Sequence, residues 1–340
     1  MKAVWIERTG GPEVLEYGDR PDPEPKGDEV LVRVKACGLN HLDVWVRRGK
    51  SFPRPIIPGT DIVGVVQKQG AGVRGSHLGR EVIVFPGFAD EMSAAKMRGY
   101  LPVCPDFGML GAHRDGGCAE LAAVPAESLL EKPPQLGWHE AACLPIAFMT
   151  AWHMLFDRGQ LQPGETVLIH SAGSGVGHGA IQMAHMMGAR VIATSGSAAK
   201  LTKARELGAD EVIDYNKEDV SGRVREFTGG RGVDVVLDHN GAVSWEASLK
   251  SLAKGGRLVV CGVTQGARVT FDLGGLFYQA QSILGSTIGR WDELHKVIHV
   301  VAAGRVHPVI DRVFPLSEIR KAHERLESPE RFGKIVMEIG

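Results

Sequence analysis

The chain has 340 residues and a formal net charge of −1, with 44% hydrophobic and 23% charged residues. That length exceeds what one hydrophobic core usually serves, so two domains are expected. The interspersed charges leave no basic stripe for a nucleic-acid backbone, and no apolar run is long enough to span a bilayer.

The N-terminal "MKAVWIERTGG" lacks the apolar run of a secretory signal. Five scattered cysteines (Cys37, Cys104, Cys118, Cys143, Cys261) contain no C-x-x-C pair. Such a set argues against a disulfide framework, so a cytoplasmic location is expected. The first third reads as β-rich. In "DEVLVRVKAC", Val30, Val32, Val34 and Ala36 alternate with Leu31, Arg33 and Lys35, the period-2 pattern of a half-buried strand. "DIVGVVQKQGAGV" and "REVIVFPG" follow as strands, and proline-rich turns separate them. A compact barrel-like unit of antiparallel strands is expected. Inside it, "ACGLNHLDVWVRRG" (residues 36–49) sets Asn40, His41 and Asp43 where a strand ends in a turn.

After about residue 135 the period changes. "WHEAACLPIAFMTAWHMLF" is helical in pattern, with Pro145 interrupting it or beginning a segment of it. "ETVLIHSAGSGVGHGAIQMAHMMGARVIATSG" runs strand, glycine turn, helix, strand. Val176, Ala180, Met183 and Met187 share a helix face, and Gly188 suits the residue just past the helix end. "AAKLTKARELGAD" is a further helix, and "VDVVLDHNG" and "GGRLVVCGV" are continuous apolar strands of the buried parallel kind. The chain closes with the helix "WDELHKVIHVVAAG" and the strand "GKIVMEIG". Alternating strand and helix indicates a doubly wound α/β domain.

The turn "SAGSGVG" is the candidate nucleotide site. Ala172, Gly173, Ser174, Gly175, Val176 and Gly177 join an apolar strand to a helix whose free N–H groups favour an anion. The three positions of G-x-G-x-x-G fall on Ala172, Ser174 and Gly177, all small enough for close backbone approach. The alternative is a plain tight turn. An acid about 20 residues on would bind the ribose hydroxyls of NAD, but Ser195 stands there. A small hydroxyl leaves room for a 2′-phosphate, so NADP(H) is favoured over NAD(H). Lys200 either adds charge to that pocket or is a solvated lysine at a helix start. Asn240, Gly262 and Val263, at the ends of later strands, complete the expected nucleotide contacts, with Gly262 allowing a ring to approach. Cys261 beside them reads as a small core residue rather than a nucleophile.

Taken together, "CGLNHLDVWVRRG", "PGTDIVGVV", "TAWHML", "SAGSGVG" and "GKIVMEI" make the chain resemble the medium-chain dehydrogenase/reductases over nearly its whole length. The resemblance implies a GroES-like β-rich catalytic domain (residues 1–140 and 290–340), a Rossmann domain with a doubly wound parallel sheet (141–289) and a cleft at their junction. Zinc members of that family have a cysteine ligand where Asn40 stands, a histidine and a glutamate at Thr60 and Asp61, and a third ligand near Ile146. None of these positions offers a thiolate or imidazole, and Cys143 is three residues early. Asp90, Ser93, Lys96 and Cys104 occupy the four structural-zinc positions, with one cysteine left. No zinc is expected. The resemblance narrows to the zinc-free branch, similar to quinone oxidoreductases, which have asparagine, aspartate and threonine where Asn40, Asp43 and Thr60 stand.

It further implies that Thr150 lies near the nicotinamide and that His41 either touches the pyrophosphate or is a turn histidine. Asn40 or Thr60 would stabilise negative charge on a substrate oxygen. Asp43 orients its neighbours or caps the following helix, with proton transfer as the alternative. Leu42 replaces the hydroxyl residue that relays a proton in the zinc enzymes. Phe52 replaces a tyrosine found in some enoyl reductases. His113 and Asp115 are loop residues that either border the cleft or are solvated. The expected activity is NADPH-dependent hydride transfer to a quinone or an α,β-unsaturated carbonyl. The alternatives are an alcohol or aldehyde dehydrogenase of the same family and a non-catalytic nucleotide-binding sensor. A small-molecule substrate and a homodimer or homotetramer complete the expectations.

Overall fold

The computed structural model describes residues 1–49, 51–90, 93–97 and 99–340. Lys50 of "GKSFPRP" and Glu91, Met92 and Arg98 of the stretch matched to the structural zinc lobe lie outside the described residues. The chain divides into two compact units, one of residues 1–147, 290–304 and 308–340, the other of residues 148–289 and 305–307.

The first unit begins with β1 (Lys2–Ile6) and β2 (Leu15–Asp19), an antiparallel pair. Next come β3 (Glu29–Leu39), α1 (His41–Arg48), β4 (Asp61–Gln69), β5 (Glu81–Val84), β6 (Leu121–Pro125) and β7 (Leu129–Glu131). The alternation read in β3 is present: Val30, Val32, Val34 and Ala36 are buried, while Arg33 is exposed. Leu31, opposite Ala123 of β6, is buried as well, so the outward face is closed at that position.

The second unit is built from strand–helix repeats. Its elements are β8 (Thr166–Ile169), α2 (Gly175–Met186), β9 (Arg190–Ser195), α3 (Ala198–Glu206), β10 (Glu211–Asp214), α4 (Val220–Phe227), β11 (Val233–Asp238), α5 (Trp245–Ser251), β12 (Leu252–Val260) and β13 (Ser282–Gly285). The sheet order is β10-β9-β8-β11-β12-β13, every pair parallel. The order reverses at β8, and the carboxyl end of that strand is where such sheets bind ligands. Leu168, Ile192, Ile213, Val236 and Leu258 fill the core between the sheet and its helices. Gly188 takes φ +78° just past α2, as expected of a helix-ending glycine. Met187 departs from the expected face: it is the cap residue, outside the helical repeat, and is exposed.

The chain then returns to the first unit with α6 (Trp291–Ala302), β14 (Ile310–Pro315), α7 (Ile319–Glu327) and β15 (Lys334–Glu338). The large sheet runs β14-β15-β3-β4-β5-β7, with β6 also on β3. Only β14 and β15 run parallel; the other pairs are antiparallel. Val32, Leu39, Ile62, Ile335 and Met337 belong to one core with residues of α1 and α7. In this arrangement the C-terminus of β3 lies beside the N-termini of both neighbours: Leu39 faces Ile335 and Gly38 faces Asp61. Three strand ends therefore meet at one point. Among the described residues no helix is long and apolar enough to cross a membrane.

Candidate active site

Asn40 follows β3 directly and starts α1 in an extended conformation, φ −130° and ψ 163°. Asp43, three residues on, is fully buried. Its Oδ2 accepts the Asn40 N–H at 2.7 Å and its Oδ1 accepts the Gly59 N–H at 3.0 Å. The aspartate caps α1 and ties that cap to the turn before β4. Gly59 sits at φ +99°, and a Cβ there would lie 2.7 Å from Cys37 Sγ and 2.8 Å from Cys118 Sγ, so the turn that presents Thr60 accepts only glycine.

The meeting point of the three strand ends is a closed polar network. Asn40 Nδ2 donates to Thr60 Oγ1 at 3.1 Å and to Asp61 Oδ2 at 2.9 Å. Asp61 Oδ1 accepts the Ile146 N–H at 2.9 Å. Lys334, the first residue of β15, is 2% exposed, and its ammonium donates to Leu39 O at 2.8 Å, Asn40 Oδ1 at 2.6 Å and Asp61 Oδ2 at 2.9 Å. Gly38 lets the helical segment carrying Ile146 approach, since a Cβ there would be 2.0 Å from Ala142 O. Asn40 retains 8% exposure and Thr60 none. Both Asn40 amide hydrogens have acceptors inside the network. The Thr60 hydroxyl hydrogen has none among the described residues.

These groups do not fit a zinc ion. Asn40 offers an amide oxygen already bonded to an ammonium, Thr60 a hydroxyl, and Asp61 a carboxylate paired with Lys334. Burial pushes the Cys143 thiol up to about 12, and it donates to His139 O at 3.2 Å. At the four structural-zinc positions, also in the first unit, Ser93 Oγ and Cys104 Sγ lie 3.4 Å apart, Lys96 pairs with Glu127 at 3.2 Å, and Asp90 pairs with Arg114. A lysine engaged with a glutamate takes the place of the third of these four ligands.

In the second unit the loop after β8 has the shape a nucleotide needs. Ser171 takes φ +53°, and its hydroxyl donates to Asn240 Oδ1 at 2.9 Å. Ala172 N–H donates to Thr194 O at 2.9 Å, and Ser174 caps α2 by accepting the Gly177 N–H at 2.8 Å. A Cβ on Gly177 would lie 2.4 Å from Ser171 O, so this cradle closes only around glycine. The N–H groups of Gly175 and Val176, in the first turn of α2, have no intrahelical acceptor and suit a pyrophosphate. Gly173 and Val176 belong to the same turn, and Thr150 is buried on a short helix, Met149–Trp152.

Ser195 ends β9, buried, and Lys200 is half-buried on α3. The exposed Tyr215 ring and Asn216, just past β10, pack against Gly196, with Asn216 Nδ2 donating to Gly196 O at 3.0 Å. Neither was foreseen, since both come from a neighbouring strand end. Asp238 and, in the first unit, Lys334 were not foreseen either. Fully buried at the end of β11, Asp238 accepts from Asn240 N at 2.8 Å, Gly241 N at 3.1 Å, and the hydroxyls of Ser244 and Ser248 at 2.7 Å each. Burial opposes its ionisation, but His170 and these donors outweigh it and hold its carboxyl below the usual range. Ser248 gives its one proton to Asp238, so His170 Nε2, 2.9 Å away, carries the hydrogen of that pair. Its Nδ1 lies 3.2 Å from the Thr194 hydroxyl oxygen. Beyond β12, Val263 is exposed, and a Cβ on Gly262 would meet His239 O at 3.1 Å.

In the first unit His41 is exposed, its ring edge-on to Trp45 with centroids 5.3 Å apart. His113 and Asp115 are also exposed. Asp115 accepts the Ile57 N–H, and the His113 ring meets Phe52 edge-on. Both residues line a surface cavity with Arg20, Asp22 and Arg114.

The alcohol dehydrogenase GroES-like domain family matches residues 26–134, and the zinc-binding dehydrogenase family matches residues 175–303. A quinone oxidoreductase of Salmonella typhimurium is 32% identical over 348 residues, covering 98% of each chain. The chain belongs to the medium-chain dehydrogenase/reductase family. A solved NAD-dependent alcohol dehydrogenase is 43% identical, with a TM-score of 0.96 and full coverage of both chains. A crotonyl-CoA carboxylase/reductase in complex with NADP is 26% identical, with a TM-score of 0.93, covering 100% of this chain and 95% of that one. The first unit is thus the GroES-like domain and the second the Rossmann domain. The protein is an NAD(P)H-dependent oxidoreductase of the branch that lacks an obvious catalytic zinc site.

Burial pushes the Asp43 carboxyl from 3.8 up to about 6. A raised folded-state value means that its contribution to stability is complete below pH 3.8 and lost as pH rises through 6. Asp43→Asn removes that loss. Urea titrations should show the variant gaining on the wild type by on the order of 2–3 kcal/mol between pH 4 and pH 7. A constant difference over that range would place the titration elsewhere.

Proposed function

We propose that this member reduces quinones or α,β-unsaturated carbonyls with NADPH. The observation that carries the reading is the Thr60 hydroxyl, a buried donor whose hydrogen has no acceptor among the described residues, in a network otherwise fully paired. When bound, the reduced nicotinamide supplies the hydride. As hydride adds to the substrate, negative charge develops on its carbonyl oxygen; Thr60, which has no exposed surface of its own, donates its hydrogen bond there once the substrate enters the floor beside Asn40, the most exposed of these groups. Asn40, with its amide N–H groups committed internally, supports Thr60 instead of meeting the oxygen itself. Asp43, with both oxygens accepting backbone N–H groups, holds the cap and the Thr60 turn in place.

Reduction of activated acceptors suits this floor because it needs charge stabilisation and no Lewis acid. An alcohol dehydrogenase activity is the second reading, favoured by the 43% identical solved structure of that activity. Leu42 lacks a hydroxyl to relay the proton, and the groups around Asn40 do not fit zinc, so the first reading stands ahead. Ser195, with no acid at the end of β9, favours NADPH. Tyr215 and Asn216 beside Gly196 add surface for a 2′-phosphate. We further propose a homodimer through the edge strand β13. Its outer side has no partner strand among the described residues, and the preceding helix (Leu273–Tyr278) exposes Leu273, Phe277 and Tyr278 at 68%, 78% and 72%.

Three measurements test these readings. Thr60→Val should lower the rate of benzoquinone or enone reduction about 100-fold with NADPH affinity unchanged; a wild-type rate would remove Thr60 from the chemistry. Ser195→Asp should weaken NADPH use about tenfold and spare NADH, and an unchanged preference would mean the phosphate is read elsewhere. Sedimentation equilibrium should show a dimer that Phe277→Glu dissociates, and a monomeric wild type would end the dimer proposal.

A further inference from the structure

We propose that Lys334 is a positioning residue of this reaction: its ammonium sets the sense of the Asn40 amide, and through it leaves the Thr60 proton free for the substrate. The inference rests on the reading of Thr60 as the oxygen-stabilising donor. Lys334 can only donate, and its three hydrogens point to Leu39 O, Asn40 Oδ1 and Asp61 Oδ2. Asn40 Oδ1 is therefore fixed toward the lysine, and Nδ2 faces Thr60 Oγ1 and Asp61 Oδ2.

The direction matters. With the amide turned over, its oxygen would accept from the Thr60 hydroxyl and consume the one proton the floor has to offer. With the amide as it stands, Thr60 receives a hydrogen bond on oxygen and is left to donate its own. A hydroxyl that already accepts from a polarised donor is itself a better donor, because hydrogen bonds in a chain strengthen one another. Lys334, Asn40 and Thr60 form such a chain, headed by a cation. Asp61 answers the ammonium charge and accepts from the same amide, so both charged groups specify one orientation.

Register explains how the chain is assembled. Ile335 pairs with Leu39, which sets Lys334 beside Asn40, and Gly38 pairs with Asp61 on the other side. The lysine is 294 residues from the asparagine in sequence and 2.6 Å from it in space.

Lys334→Met combined with Asp61→Asn removes both charges together and leaves no buried ion unpaired. This paired variant is expected to retain the wild-type thermal midpoint within a few degrees and NADPH affinity within about twofold by fluorescence titration. Its single-turnover rate with benzoquinone should fall about 100-fold, with the quinone KM little changed. Asn40→Leu, which cuts the link to Thr60 and leaves the Lys334–Asp61 pair intact, should show the same fall; it decides the question alone if the paired variant does not fold. Lys334→Arg, which keeps a cationic donor, should recover most of the rate. A folded paired variant or Asn40→Leu within threefold of the wild-type rate would reduce Lys334 to a structural counter-ion. If Thr60→Val is also unimpaired, the reading of the floor itself fails; if Thr60→Val alone is slow, only the role of Lys334 fails.

Discussion

A buried ion pair, Lys334 with Asp61, organises the GroES-like domain at the point where three strands end. Removing two charges from water costs several kcal/mol each, and their attraction offsets that only when every remaining donor and acceptor is bonded. Here all three ammonium hydrogens have acceptors, and Asp61 accepts from a lysine, an amide and a backbone N–H. Burial still pushes the Asp61 carboxyl up against the pull of Lys334. Such a pair does little for net stability, but it tolerates few alternative packings, and that specificity is what a site with one free proton requires.

The same pair accounts for the character of the floor. Family relatives with zinc place a divalent cation among thiolate and imidazole ligands, whereas this chain has amide, hydroxyl and ammonium groups in contact with one another. Positive charge is present, but it is carried by a side chain that is itself fully hydrogen-bonded. In the proposed reaction it acts through intervening groups, which suits acceptors that are already electron-poor.

The Rossmann domain uses the same economy of buried charge. Asp238, bonded to two backbone amides and two serines, folds the turn after β11, and Asn240 in that turn accepts from Ser171 of the glycine loop. The His170–Ser248 contact joins β8 to the helix after β11 beneath that loop. A buried carboxylate thereby shapes the surface on which the nucleotide is expected to lie.

Local patterns were readable from the chain alone. The period-2 strand before Asn40, the glycine turn from Ser171 to Gly177, and Gly188 at the end of α2 each depend on residues within a dozen positions, so propensity and spacing reveal them. Asn40, His41 and Asp43 were likewise visible as a polar cluster, and Thr60 entered through the family resemblance. Lys334 was not: it opens an apolar strand, where a lysine reads as an edge residue, and its partners lie 273 and 294 residues away. Tyr215 and Asn216 were missed for the same reason, since Gly196 belongs to a neighbouring strand end; Asp238 was missed although its partners lie within ten residues, because a strand-end aspartate gives no sign in the sequence that it folds the following turn. Which way the Asn40 amide faces, and hence which hydroxyl keeps a spare proton, depends on antiparallel register. Register is a property of paired strands, so no single segment of the chain carries it.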